Sequence, residues 1–497
     1  MEFISIADKD IVKLDLNSED LTELPPEIGK LTKLEKLFLS ENQLTKLPPE
    51  IGNLTKLEEL SLSFNQFTEL PPEIGNLKNL KDLHLGVNMI TKLPTEFSNL
   101  SNLTDLNLYL NPLTELPPEL AKLPNLKILD LGSTIPQIPP EIGNLKNLKK
   151  LSLYSNQLIE LPPEIGKLIQ LKDLHLGDNK ITQLPTEIGN LKNLKYLFLN
   201  ENHLTKLPDE ICKLTNLDTL SLGNNRLTKL PNEIGNLLNL AKLWLDNNQL
   251  TELPTSIGNL KKLNSFKLEH NKLTTLPSNI YNLTNVKTLD LNNNQLTKLP
   301  PEIGNFTHLN TLSLNHNQLV ELPDEIANLK NTYIKVDFNQ IKKLPKTITE
   351  INFPNIEFME NPLESIPYGY LNWLTWKLYS MEYILKYMNN FYDKITKENI
   401  PEDEKPEFMN YYALDTIFNM PPQKLEKIGK NIQPDDPEFA LESRELANEL
   451  PFYKLPQLPI SKVKSFLQPK KETGGKKKTT KKSKTRKNKR KTMRKKL

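Results

Sequence analysis

Few residues in this chain could do covalent or metal chemistry, and their spacing argues against it. Cys212 is the sole cysteine. It excludes an internal disulfide and any cysteine-based zinc site, and it suits a reducing compartment. It sits in the run EICKL with no histidine–acid arrangement beside it in sequence, so nothing marks it as an activated nucleophile. His84 and His175 hold equivalent places in a repeated phrase, but four copies apart. At the spacing of adjacent strands that is roughly 19 Å, too far to share a metal. Asp290, Asn292 and Asn294 copy the opening of a calcium loop, yet Gln295 replaces the required glycine and Pro301 the bidentate glutamate. GGKKKTT lacks the phosphate-loop spacing G-x-x-x-x-G-K-[ST]. No catalytic residue, metal ligand or cofactor-binding residue is assigned, and the chain is read as a non-enzyme.

What remains is the chemistry of recognition, by charge and by aromatic rings. Lys and Arg number 64 against 61 Asp and Glu, but the balance is local. From Lys470 to Leu497 there are 16 bases and one acid, Glu472, which leaves 48 bases and 60 acids in the rest. An acidic body thus carries a basic tail. The candidate polyanion-binding residues are Lys476, Lys477, Lys478, Lys481, Lys482, Arg486, Lys489, Arg490 and Arg494. Such charge neutralises phosphates with salt-sensitive, sequence-indifferent affinity. The run contains no aromatic, so base stacking is not indicated. Three readings of the tail stay open: binding of nucleic acid or another polyanion, a nuclear-import address, and a solubilising tail. With no apolar periodicity, the tail is expected to be disordered by itself.

The aromatic rings are positioned by a repeat. Leu34, Leu57, Leu80 and Leu103 each open the phrase LxxLxLxxNxLxxLPxEIGNLxx at a spacing of 23 residues. Phrase starts run from Ile11 to Phe353, giving 16 copies, of which the last two are degenerate. Within a copy, apolar and polar residues alternate as in Lys13–Leu14–Asp15–Leu16, the period of a short strand. Ordering one copy costs at least as much entropy as burying its few aliphatic residues returns, so stacking between copies must supply the difference. An asparagine recurs at one position in 14 of 16 copies, from Asn42 to Asn361. A buried amide both donates and accepts, and can satisfy backbone groups where the chain leaves the strand. Glu19 and Thr134 are the exceptions, and the shortened copy around Thr134 is expected to bulge. Pro25–Pro26–Glu27–Ile28–Gly29 and its equivalents predict an extended entry into a single 3₁₀-like turn, with the glycine permitting the stop.

These phrases resemble the leucine-rich repeat family, in the 23-residue subclass of Ras-suppressor-like proteins and plant intracellular Ras-group repeats. Similar LPxEIGNLxxL arrays occur in bacteria and large DNA viruses. The resemblance implies an α/β fold: a curved right-handed solenoid with a parallel sheet on its concave face and short helical or 3₁₀ turns on its convex face. It also implies protein–protein interaction. Cysteine-nucleophile ubiquitin ligases occur on some bacterial members, and Cys212 shows no sign of that chemistry.

In such a solenoid the third, fifth and seventh phrase positions face the concave side. They supply the candidate protein-binding residues Phe38, Tyr109, Tyr154, His175, Tyr196, Phe198 and Trp244, along with His84 and Tyr333. Tyr154, His175, Tyr196 and Phe198 fall on three successive copies, with Trp244 two further on. Aromatic anchors dominate interface energetics, although isolated exposed rings are also ordinary surface. The same positions hold 11 acids and six lysines, which favours a partner with a basic rim.

The division expected is an N-terminal cap at 1–10, a solenoid of 16 repeats at 11–367, a helical cap or module at 368–469 and the basic tail at 470–497. Leu374, Leu378, Met381, Leu385 and Met388 make the apolar stripe of a capping helix. No stretch is long and apolar enough to span a membrane, and the start MEFISIADKDIVKLDL lacks a basic leader region. An intracellular location follows as the expectation. Two functions compete: a non-catalytic adaptor gripping a protein through the concave face, or a nucleic-acid-associated or virion structural protein using its tail.

Overall fold

The computed structural model describes residues 10–132, 135–351 and 355–364. The helical module, the basic tail, nearly all of the N-terminal cap and the turn at Thr134 lie outside these residues. Every described residue belongs to one compact unit, Met1–Tyr370.

Sixteen strands, from Lys13–Asp15 to Ile356–Glu357, form one sheet in strict sequence order. Every neighbouring pair is parallel. The register places like on like, so Leu197, Leu220 and Leu243 stack as one rung. Alternation makes the strands: Leu37 and Leu39 are fully buried on either side of the half-buried Phe38. The apolar positions form a continuous interior column that is more open at its ends, as in the first repeat. Ile11, Leu14, Leu16 and Leu21 there are only partly buried.

The return path is a 3₁₀ turn in each of the first fifteen repeats, and no α-helix occurs among the described residues. The convex turns of the expected α/β solenoid are therefore 3₁₀ among the described residues. Proline sets the entry: Pro25 is extended, with φ −71° and ψ 149°, and Pro26 takes the first helical position, where no amide donor is needed.

The glycine after isoleucine has a different role from the one expected. No described glycine has a positive φ, so it does not stop the turn by left-handed geometry. A Cβ on Gly189 would lie 2.7 Å from both the Cβ and the carbonyl oxygen of Glu210 in the next repeat. Glycine is there so that successive turns can stack closely. Both three-residue turns, Leu120–Lys122 and Ile234–Asn236, follow repeats in which it is replaced, by Ser98 and Cys212. At Tyr281 the larger side chain is accommodated edge-on against Phe306, ring centroids 5.7 Å apart.

The left-handed residues are elsewhere, just past the strands, as at Glu41, Ser155 and Asn224, with φ between 52° and 60° among the described residues. Their amides continue the ladder beyond the strand: Phe64 N donates to Gly86 O at 2.9 Å and Asn224 N to Asp246 O at 2.9 Å.

Turning the chain there leaves backbone groups without strand partners, and the asparagine column satisfies them. Asn225 is 7% exposed. Its Oδ1 accepts from Leu204 N at 3.0 Å, while its Nδ2 donates to Leu199 O at 2.9 Å and Leu222 O at 3.0 Å. Two of these three partners belong to the preceding repeat. All fourteen asparagines are buried. A second asparagine series, not singled out from the sequence, runs along the other side. There Asn79 Nδ2 donates to Thr55 O at 2.8 Å, Asn102 to Lys78 O at 2.9 Å and Asn216 to Lys192 O at 2.8 Å.

Asn225→Ala strands these buried backbone groups, at about 1–3 kcal/mol each. Urea unfolding of the variant should show a loss of roughly 2–5 kcal/mol. The same substitution at Asn216, whose bond is solvent-exposed, should cost under about 1 kcal/mol.

Candidate protein-binding face

The third and fifth phrase positions lie on the strands themselves and the seventh just beyond, so backbone pairing fixes the bases of their side chains. The structure places all seven candidate residues on this face, in three groups. Phe38 stands near the N-terminal end, with Lys13 Nζ 5.0 Å from its ring centre. Tyr109 leans over Gly132, where any Cβ would collide with its ring. The remaining five occupy the seventh to eleventh strands: Lys150–Ser152, Asp173–His175, Tyr196–Phe198, Thr219–Ser221 and Lys242–Trp244.

That third group is the most continuous. Tyr154 and Tyr196 are 39% and 38% exposed, high values for large rings. His175 and Phe198 meet at 4.6 Å between ring centres, tilted by 53°. Tyr154 lies against Gly177, where a Cβ would come within 3.2 Å of the ring. Phe198, Ser221 and Trp244 pair in register on three adjacent strands. Ser221 and Thr219 are each 4% exposed, sunk between the larger side chains on either side. Trp244 is fixed from the opposite side: its Nε1 donates to Ser265 Oγ at 3.2 Å, and Lys267 Nζ stands 5.6 Å from its ring centre. The alternation of large rings with serine and glycine is visible in the sequence, but only the register shows which small residue each ring leans over.

Charge on the face is patterned as well. Burial, with a contribution from Lys150, lowers the His175 pKa below its ordinary value, while Asp173 and Asp130 oppose this. The ring is therefore neutral at pH 7 and stacks as an aromatic rather than a cation. Burial pushes Asp105 up; Asp82 and Asp130 add to the effect while His84 and Lys150 oppose it. Burial raises Glu269 too, and its Oε2 has no hydrogen-bond partner among the described residues. No three His, Cys, Asp or Glu side chains converge as a metal site among the described residues. No described helix is long and apolar enough to cross a membrane.

Cys212 is buried on the turn, and burial, reinforced by Asp209 and Glu233, pushes its thiol up to about 11. A protonated, enclosed thiol is a poor nucleophile. The polyanion-binding candidates between Lys476 and Arg494 lie outside the described residues.

Stacked parallel strands, inward leucines and an open side-chain-bearing face define a solenoid repeat protein. The repeat is the leucine-rich one. A leucine-rich repeat region model matches residues 12–113, 117–193 and 158–249, and two further leucine-rich repeat models match 238–296 and 284–331. A solved leucine-rich repeat protein of Leptospira interrogans is 42% identical, with 72% of this chain and 92% of that one covered at a TM-score of 0.67. The plant peptide hormone receptor RGFR1, solved in complex with RGF2, is 33% identical over 71% of this chain and 67% of its own, TM-score 0.54. An internalin of Listeria monocytogenes is 28% identical over 66% and 87%, TM-score 0.52. No curated protein matches. The chain belongs to the leucine-rich repeat family, whose members generally act in protein–protein interaction and are typically non-catalytic.

Two measurements check the electrostatics. Because Asp105 is raised, its charged form is disfavoured in the fold and costs stability above its folded pKa. Asp105→Asn should therefore raise the melting temperature at pH 7, with the gain vanishing as pH falls through the carboxyl range. Cys212 should stay unmodified by a thiol reagent at pH 7.5 in native protein and react only at the rate of unfolding.

Proposed function

We propose that the chain is a non-catalytic protein-binding scaffold whose principal partner lies across the seventh to eleventh repeats of the concave face. The observation that carries this reading is the aromatic surface from Tyr154 to Trp244, partly exposed yet mounted on paired strands. Rings held in this way lose little freedom when a partner covers them, which is what makes aromatic anchors effective. The plant peptide hormone receptor solved in complex with RGF2 supports a recognition role for this fold. The excess of acids on the face favours a partner with a basic rim. The 23-residue period supports placing the array in the Ras-suppressor-like subclass, with similar arrays in bacteria and large DNA viruses. The single cysteine fits work inside the cell, with the solenoid spanning residues 11–367. Polyanion binding by the tail has only composition behind it and is not favoured.

Affinity purification with the full chain tests this. Trp244→Ala and Phe198→Ala should each weaken one defined partner by about tenfold or more while leaving the thermal unfolding cooperative. Retention of every partner by both variants would overturn the assignment.

A further inference from the structure

One apolar patch lies off the concave face, on the rim formed where the strands end. The left-handed residue just past a strand is usually polar, as at Asp178, Asn224, Asn247 and Asn293. Asparagine and aspartate tolerate this conformation best among side-chain-bearing residues. Three successive repeats break the pattern with Phe64, Val87 and Leu110, at φ 55°, 57° and 53°. A β-branched residue such as Val87 is a genuine outlier in that region. The position two residues on, glutamine or charged in most repeats, is Met89 and Pro112 in the fourth and fifth. Phe64 is 55% exposed, Met89 56% and Leu110 50%. Backbone bonds tie the residues together: Phe64 N donates to Gly86 O at 2.9 Å and Val87 N to Tyr109 O at 2.7 Å.

The chain thus accepts backbone strain at three consecutive turns while leaving Phe64 and Leu110 in water and Val87 between them half-buried, so intramolecular packing does not account for the two exposed residues. Strain of this kind persists where function requires it, and contiguous exposed apolar surface marks contact sites. The adjoining strands supply the complementary half. Asp82 and Asp105 stand opposite one another in register, Asp130 is on the next strand, and none has an ion-pair partner among the described residues. We infer that the rim of the third to fifth repeats is a second docking surface, for a protein segment that alternates aliphatic anchors with lysine or arginine. The anchors cover Phe64, Val87, Met89 and Leu110, and the cations reach over the rim to Asp82, Asp105 and Asp130. This surface is separate from the aromatic group of the seventh to eleventh repeats.

The probe is a labelled synthetic peptide alternating leucine with lysine, with a glutamate-for-lysine counterpart, titrated against the full chain by fluorescence anisotropy. The lysine peptide should bind and the glutamate peptide should not. The triple variant Phe64→Asn, Val87→Asn, Leu110→Asn should weaken binding at least about tenfold. Its melting temperature should hold or rise, since asparagine suits the left-handed turn. Trp244→Ala should leave peptide binding unchanged. Equal binding by the triple variant, equal binding of the glutamate peptide, or loss of binding in Trp244→Ala would each overturn the inference, the last without touching the concave-face reading. So would a destabilised triple variant, which would make the patch structural. A dimer in light scattering that the triple variant abolishes would replace the partner by a second copy.

Discussion

Fourteen of the sixteen repeats in this solenoid depend on an amide that belongs to the next one. Asn225 completes the hydrogen bonding of Leu199 and Leu204, Asn248 that of Leu222 and Leu227, and so along the stack. The groups it satisfies are buried, so no water can substitute, and leaving one unpaired costs more than a typical hydrogen bond returns. The constraint is directional. A repeat cannot complete its own turn and borrows the means from its C-terminal neighbour. Cooperativity between neighbours follows directly, because removing one repeat strands polar groups in the one before it.

Three further features follow from that close stacking. Proline presets the path into each 3₁₀ turn, glycine keeps adjacent turns from colliding, and a left-handed residue carries the chain off the sheet while prolonging its ladder. The face left over is assembled from side chains at a fixed pitch, with position dictated by backbone register rather than by loop conformation. This is why the His175–Phe198 contact and the sunken Ser221 between Phe198 and Trp244 are properties of the scaffold as much as of the residues.

The solenoid was legible because its signals are periodic: Leu37 and Leu39 alternate with polar residues, and asparagine returns at one place. Non-periodic signals were harder to read. Glycine in PEIGN looks like a stop because glycine so often is one; only the neighbouring Glu210 shows that Gly189 is a spacer. The left-handed column escaped notice since Glu41, Phe64 and Ser155 share a conformation and no chemistry. The aromatic residues could be assigned to a face from their phase within the repeat. Their grouping could not, because Tyr154 over Gly177 and Tyr109 over Gly132 depend on which way each ring leans.

The sheet hydrogen bonds run from repeat to repeat, along the axis of the stack rather than across it. Tension between the two ends of the solenoid therefore loads successive rungs in series, and each rung is at most three residues wide. A molecule built this way yields by shedding turns individually at modest force, and each released turn lengthens the chain by a similar step. It is mechanically a graded extensible element rather than a brittle one.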